Sequence, residues 1–219
     1  MNKKRFIKQN ALKIIISCEN ERENSKNTVI AQITIQKDGL QKINENYTIR
    51  SYIFNYTQKT HIKLDIESLE YIPSLVKDMP TASADNLSFE YEIKEGIKWD
   101  NGTALTAKDV AFSVKLMLCP LTNNAQIRSN YSTVIKSIEL DPSNPMKFTM
   151  HAQNVHWNNK FIFSELYMVQ KSLWDPNGIL DNVTFSDLLS ENFKETEILS
   201  DFFNSYNNAD NSYKPNLLV

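Results

Sequence analysis

Residues 92–118 read E-I-K-E-G-I-K-W-D-N-G-T-A-L-T-A-K-D-V-A-F-S-V-K-L-M-L, and this stretch decides the fold. Leu87, Phe89, Tyr91 and Ile93 alternate with Ser88, Glu90, Glu92 and Lys94 just before and into it, the period of a half-exposed strand. Gly96 breaks that strand, and Trp99-Asp100-Asn101-Gly102 is a tight-turn signal, because Asn-Gly tolerates the positive φ such turns require. Thr106 stands where a helix N-cap belongs, with Asp109 three residues on to return a hydrogen bond and favour the positive helix end. From Ala107, the residues Val110, Ala111, Val114, Met117 and Leu118 fall on one helical face, and Pro120 stops the helix. The stretch therefore predicts strand, turn and capped helix. Its residues read as structural, since they form no catalytic set.

Outside this core signal the periodicity is less regular. Residues 28–39 (TVIAQITIQKDG) alternate and break at Asp38-Gly39, as a strand ending in a turn. In 46–57, Ile49, Tyr52, Ile53 and Tyr56 take helical spacing. Residues 63–80 carry two prolines and mixed periodicity and read as an irregular connection. Val134 to Leu140 and Lys147 to Met150 read as two strands joined by the Asp141–Pro145 turn. Residues 161–175 are apolar. Two helical patterns follow, one opened by Thr184 or Ser186, the other by Thr196.

Composition excludes several function classes. The chain has 219 residues, 41% hydrophobic and 23% charged, enough to bury a core. A net charge of -2 with interspersed signs offers no basic face for nucleic acid. No apolar run is long enough to span a bilayer as a helix. Four glycines (Gly39, Gly96, Gly102, Gly178) form no phosphate-cradling loop. Two cysteines (Cys18, Cys119) make a disulfide conceivable but no zinc pattern, and His61, His151 and His156 have no metal-ligand spacing, so neither metal nor cofactor is expected. The carboxylate pairs Glu90/Glu92 and Asp65/Glu67 sit on solvent faces, and no G-x-S-x-G elbow occurs, which argues against an enzyme.

The N-terminus, MNKKRFIKQNALKIIISC, has a basic start, an apolar segment and Ile15-Ile16-Ser17-Cys18. That order follows the logic of a secretory signal. Its end resembles a bacterial lipobox, in which Cys18 would be acylated, although Gln9, Asn10 and Lys13 interrupt the apolar region and an ordinary polar N-terminus is the alternative. Residues 1–18 are thus expected to be a lipoprotein signal, 19–28 a charged tether, and 29–219 the incomplete N-terminal part of a folded domain.

Residues 89–117 resemble the signature segment of the family 5 extracellular solute-binding proteins, the oligopeptide- and dipeptide-binding subunits of ABC importers. Gly96, Lys98, Trp99, Asn101, Gly102, Thr106, Ala107, Asp109, Val110, Phe112 and Ser113 all match its G-x-K-W-x-[DN]-G-x-x-[LV]-T-A-x-D-V-x-[FY]-S string. EYIPSLVKDMP, with Val76 in place of the usual Ala, and SIELDPSNPMKFTM are similar to the flanking segments. The resemblance implies a mixed α/β, periplasmic-binding-protein-like fold, of which this chain would supply a partial first lobe with a smaller mixed subdomain. Family members are normally more than twice as long. It also implies an extracytoplasmic receptor, lipid-anchored to a bacterial membrane, with a peptide ligand and ABC transporter permease subunits as partners. The alternatives are a fragment without independent binding, or a receptor for a nickel chelate or an oligosaccharide. Ligand contacts are implied near Gln36, Lys37 and Asp38; a solvated turn is the other reading of those three.

Overall fold

The computed structural model describes residues 58–208. The chain enters through an antiparallel hairpin, β1 (Ile62–Leu64) with β2 (Tyr71–Pro73), in the register Ile62↔Pro73 and Leu64↔Tyr71. The irregular connection expected over 63–80 is thus corrected to a hairpin as far as Pro73, and is irregular from there to Pro80. Pro73 hid it from the pattern, but it sits at the end of a two-stranded ribbon, where proline does little harm. The tip is tied by Asp65, whose Oδ2 accepts from the Ser68 N–H and hydroxyl. Leu69 there is held at φ 58°, a conformation most side chains avoid.

A four-stranded antiparallel sheet follows, in the order β3 (Thr81–Ala82), β4 (Ser88–Glu92), β6 (Lys147–Ala152), β5 (Ile135–Leu140). The register Phe89↔Met150 and Tyr91↔Phe148 puts these apolar residues on one face, joined by Ile138 opposite Met150. Glu90, Glu92, Thr149 and His151 take the other face, as strand alternation requires. The β6 strand runs two residues further than the sequence pattern suggested, and β5 starts one residue later.

Between β4 and β5 lie α1 (Ala107–Leu118) and α2 (Ala125–Ser132). The α1 helix has the expected bounds but not the expected one-sided burial. Of its twelve residues only Lys108 is exposed and Lys115 partly so; even Leu116, off the apolar face, is fully buried. It is the central helix of the domain, packed by α2, β5 and the later helices. The Lys115 ammonium survives there by donating to the Leu180 carbonyl at 2.7 Å, and burial lowers its pKa. The α2 helix went unread in the sequence. Only Ile127 and Tyr131 give it an apolar side, and its start is fixed by Asn124, whose side chain accepts from the Ile127 N–H at 3.0 Å.

After β6 come α3 (Asn159–Ser164), α4 (Lys171–Trp174), a 3-10 turn (Ile179–Asn182), α5 (Phe185–Leu189) and α6 (Glu197–Asn207). Thr184, not Ser186, caps α5, and Thr196 caps α6. The core runs from the sheet's inner face through α1 to Phe202, Phe203 and Tyr206 of α6. Cys119 is a free, fully buried thiol. The strand expected over 28–39 and the helix expected over 46–57 lie outside the described residues.

Candidate functional site: a buried polar latch

The signature residues converge on one buried polar assembly. The turn is closed by the Gly102 N–H on Trp99 O (2.9 Å) and the Trp99 N–H on Thr103 O (2.8 Å). Positive φ falls on Gly102 (84°) and not on Asn101. Asn101 instead uses its Oδ1 to accept from the Thr103 N–H (3.1 Å) and hydroxyl (2.7 Å). Gly96 (φ 80°) makes the preceding break with open space around it, so backbone conformation explains the glycine there.

Trp99, 1% exposed, fills the space beneath the turn beside Asp109. Asp109 Oδ2 accepts from the Thr106 N–H (2.9 Å) and hydroxyl (3.2 Å), the acidic half of a capping box. Its other oxygen accepts from the Lys171 N–H at 2.9 Å, across more than sixty residues of chain. Burial raises the Asp109 pKa, and the hydrogen bonds from Lys171 and Thr106 oppose that rise. One turn on, the Ser113 hydroxyl donates to Asp109 O (2.6 Å) and accepts from the Val169 N–H (2.7 Å). Gln170, fully buried, donates from Nε2 to Thr103 Oγ1 (2.6 Å) and Asn101 Oδ1 (3.1 Å). Ala107 and Val110 pack the helix start into the core, and the Ala107 N–H donates to Pro145 O.

Turn, helix start and the 169–171 strap are thereby locked together. Sequence reading found the first two and missed the strap. The signal was present: Gln170 is an uncharged polar residue inside an apolar run, and such a residue needs partners once buried. Trp99, Asp109, Ser113 and Gln170 are buried, while Asn101, Gly102 and Thr103 of the turn stay exposed. The arrangement holds a scaffold in register.

Other polar arrays among the described residues form no reactive site. Ser88, His151 and Glu139 line up on the sheet's outer face, with Ser88 Oγ 2.9 Å from His151 Nδ1 and His151 Nε2 3.5 Å from Glu139 Oε2. The Ser88 N–H, however, donates to Ser83 Oγ, and Ser88 opens β4 with no helix N-terminus there to stabilise an oxyanion. Asp175 and Asp181 flank a glycine turn, but the Asp175 oxygens accept from the Ile179 and Leu180 N–H groups and Asp181 pairs with Lys171 at 3.0 Å. Among the described residues no group of three His, Cys, Asp or Glu is placed to hold a metal, and the three histidines lie apart: His61 in the core, His151 on the sheet, His156 in a loop. No helix among them is long and apolar enough to cross a membrane.

Clefts open on the surface of the described residues. One, about 420 Å³, lies over the outer face of the sheet between Asp78, Thr81, Glu90, Glu139 and Lys147. Another, about 710 Å³, lies between the 3-10 turn and α6 and is lined by Ile179, Val183, Phe193, Ile198 and Leu199. Cys18, Gln36, Lys37 and Asp38 lie outside the described residues.

Residues 70–194 match the family described as bacterial extracellular solute-binding proteins, family 5 Middle. No curated protein matches. Among solved structures, the oligopeptide-binding protein AppA from Bacillus subtilis, in complex with a nonapeptide, is similar at 22% identity and a TM-score of 0.52, covering 67% of this chain and 27% of that one. Peptide-bound OppA from Listeria monocytogenes gives 13% identity and a TM-score of 0.53, covering 64% and 30%. MoaA from A. tumefaciens R10, in complex with mannopinic acid, gives 16% and 0.50, covering 61% and 27%. These likenesses establish a shared mixed α/β, periplasmic-binding-protein-like fold, and the chain spans less than a third of each structure. With the family match extending over more than half of its residues, this chain belongs to the bacterial extracellular solute-binding proteins of family 5.

Proposed function

We propose that this chain is part of an extracytoplasmic substrate-binding receptor of an ABC importer, and that its ligand is a peptide. The observation that carries the reading is the family match over 70–194, on a fold whose similar structures include two peptide-bound proteins. The latch supports it: its residues keep a scaffold rigid, which suits a protein that recognises and does not transform. Residues 29–219 are the N-terminal part of the solute-binding domain, preceded by a tether at 19–28 and a signal ending at Cys18. The acylated Cys18 holds the domain at the membrane surface, where permease subunits receive the ligand. Gln36, Lys37 and Asp38 are the residues we place at the ligand.

The test is thermal unfolding of the chain from residue 19 with and without a mixed di- to pentapeptide library. A ligand that binds the native state raises the melting temperature in proportion to its saturation. A clear rise that is lost in a Lys37→Ala, Asp38→Ala double variant supports the assignment. Labelling with an alkyne fatty acid, abolished by Cys18→Ser, checks the anchor.

A second reading has one observation in its favour: the chain spans only 27–30% of the similar structures named above. In that reading the peptide site needs a further lobe, and the chain alone shows no shift with any peptide. The mannopinic acid bound by a similar structure makes a small non-peptide solute the remaining choice of ligand.

A further inference from the structure

His61 stands at a junction between the β1–β2 hairpin, α3 and the sheet. Its N–H donates to Ser164 O (2.9 Å), and its carbonyl accepts from the Ser74 N–H (2.9 Å) and the Val76 N–H (3.3 Å). Its ring, 1% exposed, lies against Tyr91 of β4 and Phe148 of β6, with centroids 5.4 Å and 5.5 Å away. Ring Nδ1 is 3.1 Å from the Phe163 carbonyl, which can only accept, so Nδ1 carries the hydrogen and Nε2 the lone pair. Nε2 is buried and has no hydrogen-bond partner among the described residues.

The elements packed around the ring supply no counter-charge. From β4 comes the Tyr91 phenol, turned toward Ser164 Oγ and Lys160 O. From β6 comes only the Phe148 ring. On α3 the Lys160 ammonium lies over the Phe161 ring, and Glu165 just beyond accepts from the Tyr71 hydroxyl of the hairpin. Behind β2, Lys94 Nζ donates to Ser74 O at 2.8 Å. None of the four ion pairs among the described residues includes His61.

We propose that His61 is an acid-operated latch: a proton taken up at Nε2 releases the β1–β2 hairpin from α3 and from the inner face of the sheet, while the four-stranded sheet stays formed. An imidazolium between two aromatic rings, with no carboxylate in reach, gains most by moving to water. Because the ring and the backbone junction belong to one residue, the ring cannot leave without unfastening Ser164, Ser74 and Val76.

The direction of titration agrees. Burial, opposed by the Phe163 hydrogen bond, lowers the His61 pKa from 6.5 to about 4. A released ring titrates near the upper value and a docked ring near the lower. The docked state therefore keeps its full stability above pH 6.5 and loses about tenfold in population ratio for each pH unit below it, levelling off below the lower value.

Amide hydrogen exchange on the full chain, followed by mass spectrometry from about pH 7 to about pH 4.5 and corrected for intrinsic exchange, tests this. Protection at residues 71–76 should fall about tenfold per pH unit below 6.5 while residues 147–152 keep theirs, and His61→Phe should abolish the pH dependence. Hairpin protection that tracks β6, or an acid response unchanged in His61→Phe, overturns the proposal. Should that variant not fold, the ring of the unaltered protein is titrated by NMR. A His61 signal titrating below pH 5 is the expected result, and one titrating near 6.5 with the hairpin still protected overturns it.

Discussion

The domain writes the same four-residue helix start twice and obtains two different devices. At α1, Thr106-x-x-Asp109 is buried; at α5, Thr184-x-x-Asp187 is on the surface. In α5 the box is complete and local: Asp187 Oδ2 accepts from the Thr184 N–H and hydroxyl, and the Asp187 N–H donates back to Thr184 Oγ1. In α1 the carboxylate also reaches outward, to Lys171. The hydrogen bonds from Thr184 lower the Asp187 pKa, whereas burial raises that of Asp109. A capping motif is thus a local stop signal when hydrated and a tertiary tie when buried, and the sequence alone does not tell the two apart.

The comparison can be broken from its strongest point. Trp99→Ala removes the side chain on which the buried box rests and leaves a cavity, so chemical denaturation should show a loss of about 4 kcal/mol. Asp109→Ala should cost about 3 kcal/mol, since it strands the N–H groups of Thr106 and Lys171 in the interior. Thr184→Ala at the surface box should cost only about 1 kcal/mol, the ordinary worth of an N-cap. If the Asp109 and Thr184 variants cost the same, burial has not changed what the motif does.

The smallest effect is the sharpest, because it has opposite signs at the two sites. Asp187 has a lowered folded pKa, so its contribution is present above 3.8 and fades as pH falls through that lowered value. Asp109 has a raised folded pKa, so the penalty on its charged form is relieved as pH falls through that raised value toward 3.8. Measured by urea denaturation across that range, the cost of Asp187→Asn should shrink with acid and the cost of Asp109→Asn should grow.

What the sequence made legible was local. The β4 strand, though read past its end at Glu92, the turn at Gly102, the bounds of α1, the cap Thr196 and the choice of Thr184 or Ser186 are written within a few residues of where they act. What it hid depends on contacts between distant segments. The 169–171 strap acquires its role only when Ser113 and Asp109 meet it; Gln170, a polar residue in an apolar run, announces that partners are needed but not which ones. Burial of α1 on nearly all sides was misread for the same reason. Ala111, Ser113 and Leu116 give a mixed pattern, and packing from several elements, not period, decides their exposure. The β1–β2 hairpin was masked by Pro73, and α2 by a polar sequence in which Asn124 alone marks the start.

The strand order of the sheet also sets the sequence of events in folding. The β5 and β6 strands meet by closing one short turn at Asp141–Met146, held by Asp141 Oδ1 on the Ser143 and Asn144 N–H groups. The β4 strand reaches β6 only by closing the whole excursion from Ile93 to Met146, which contains α1 and α2. Closing a long loop costs more chain entropy than closing a short one, so the β5–β6 ribbon forms early and β4 adds late. Trp99 lies inside that excursion and is 1% exposed in the folded domain. In a Trp157→Phe, Trp174→Phe background its fluorescence should therefore report the closing of the excursion, lagging behind the appearance of the β signal in circular dichroism.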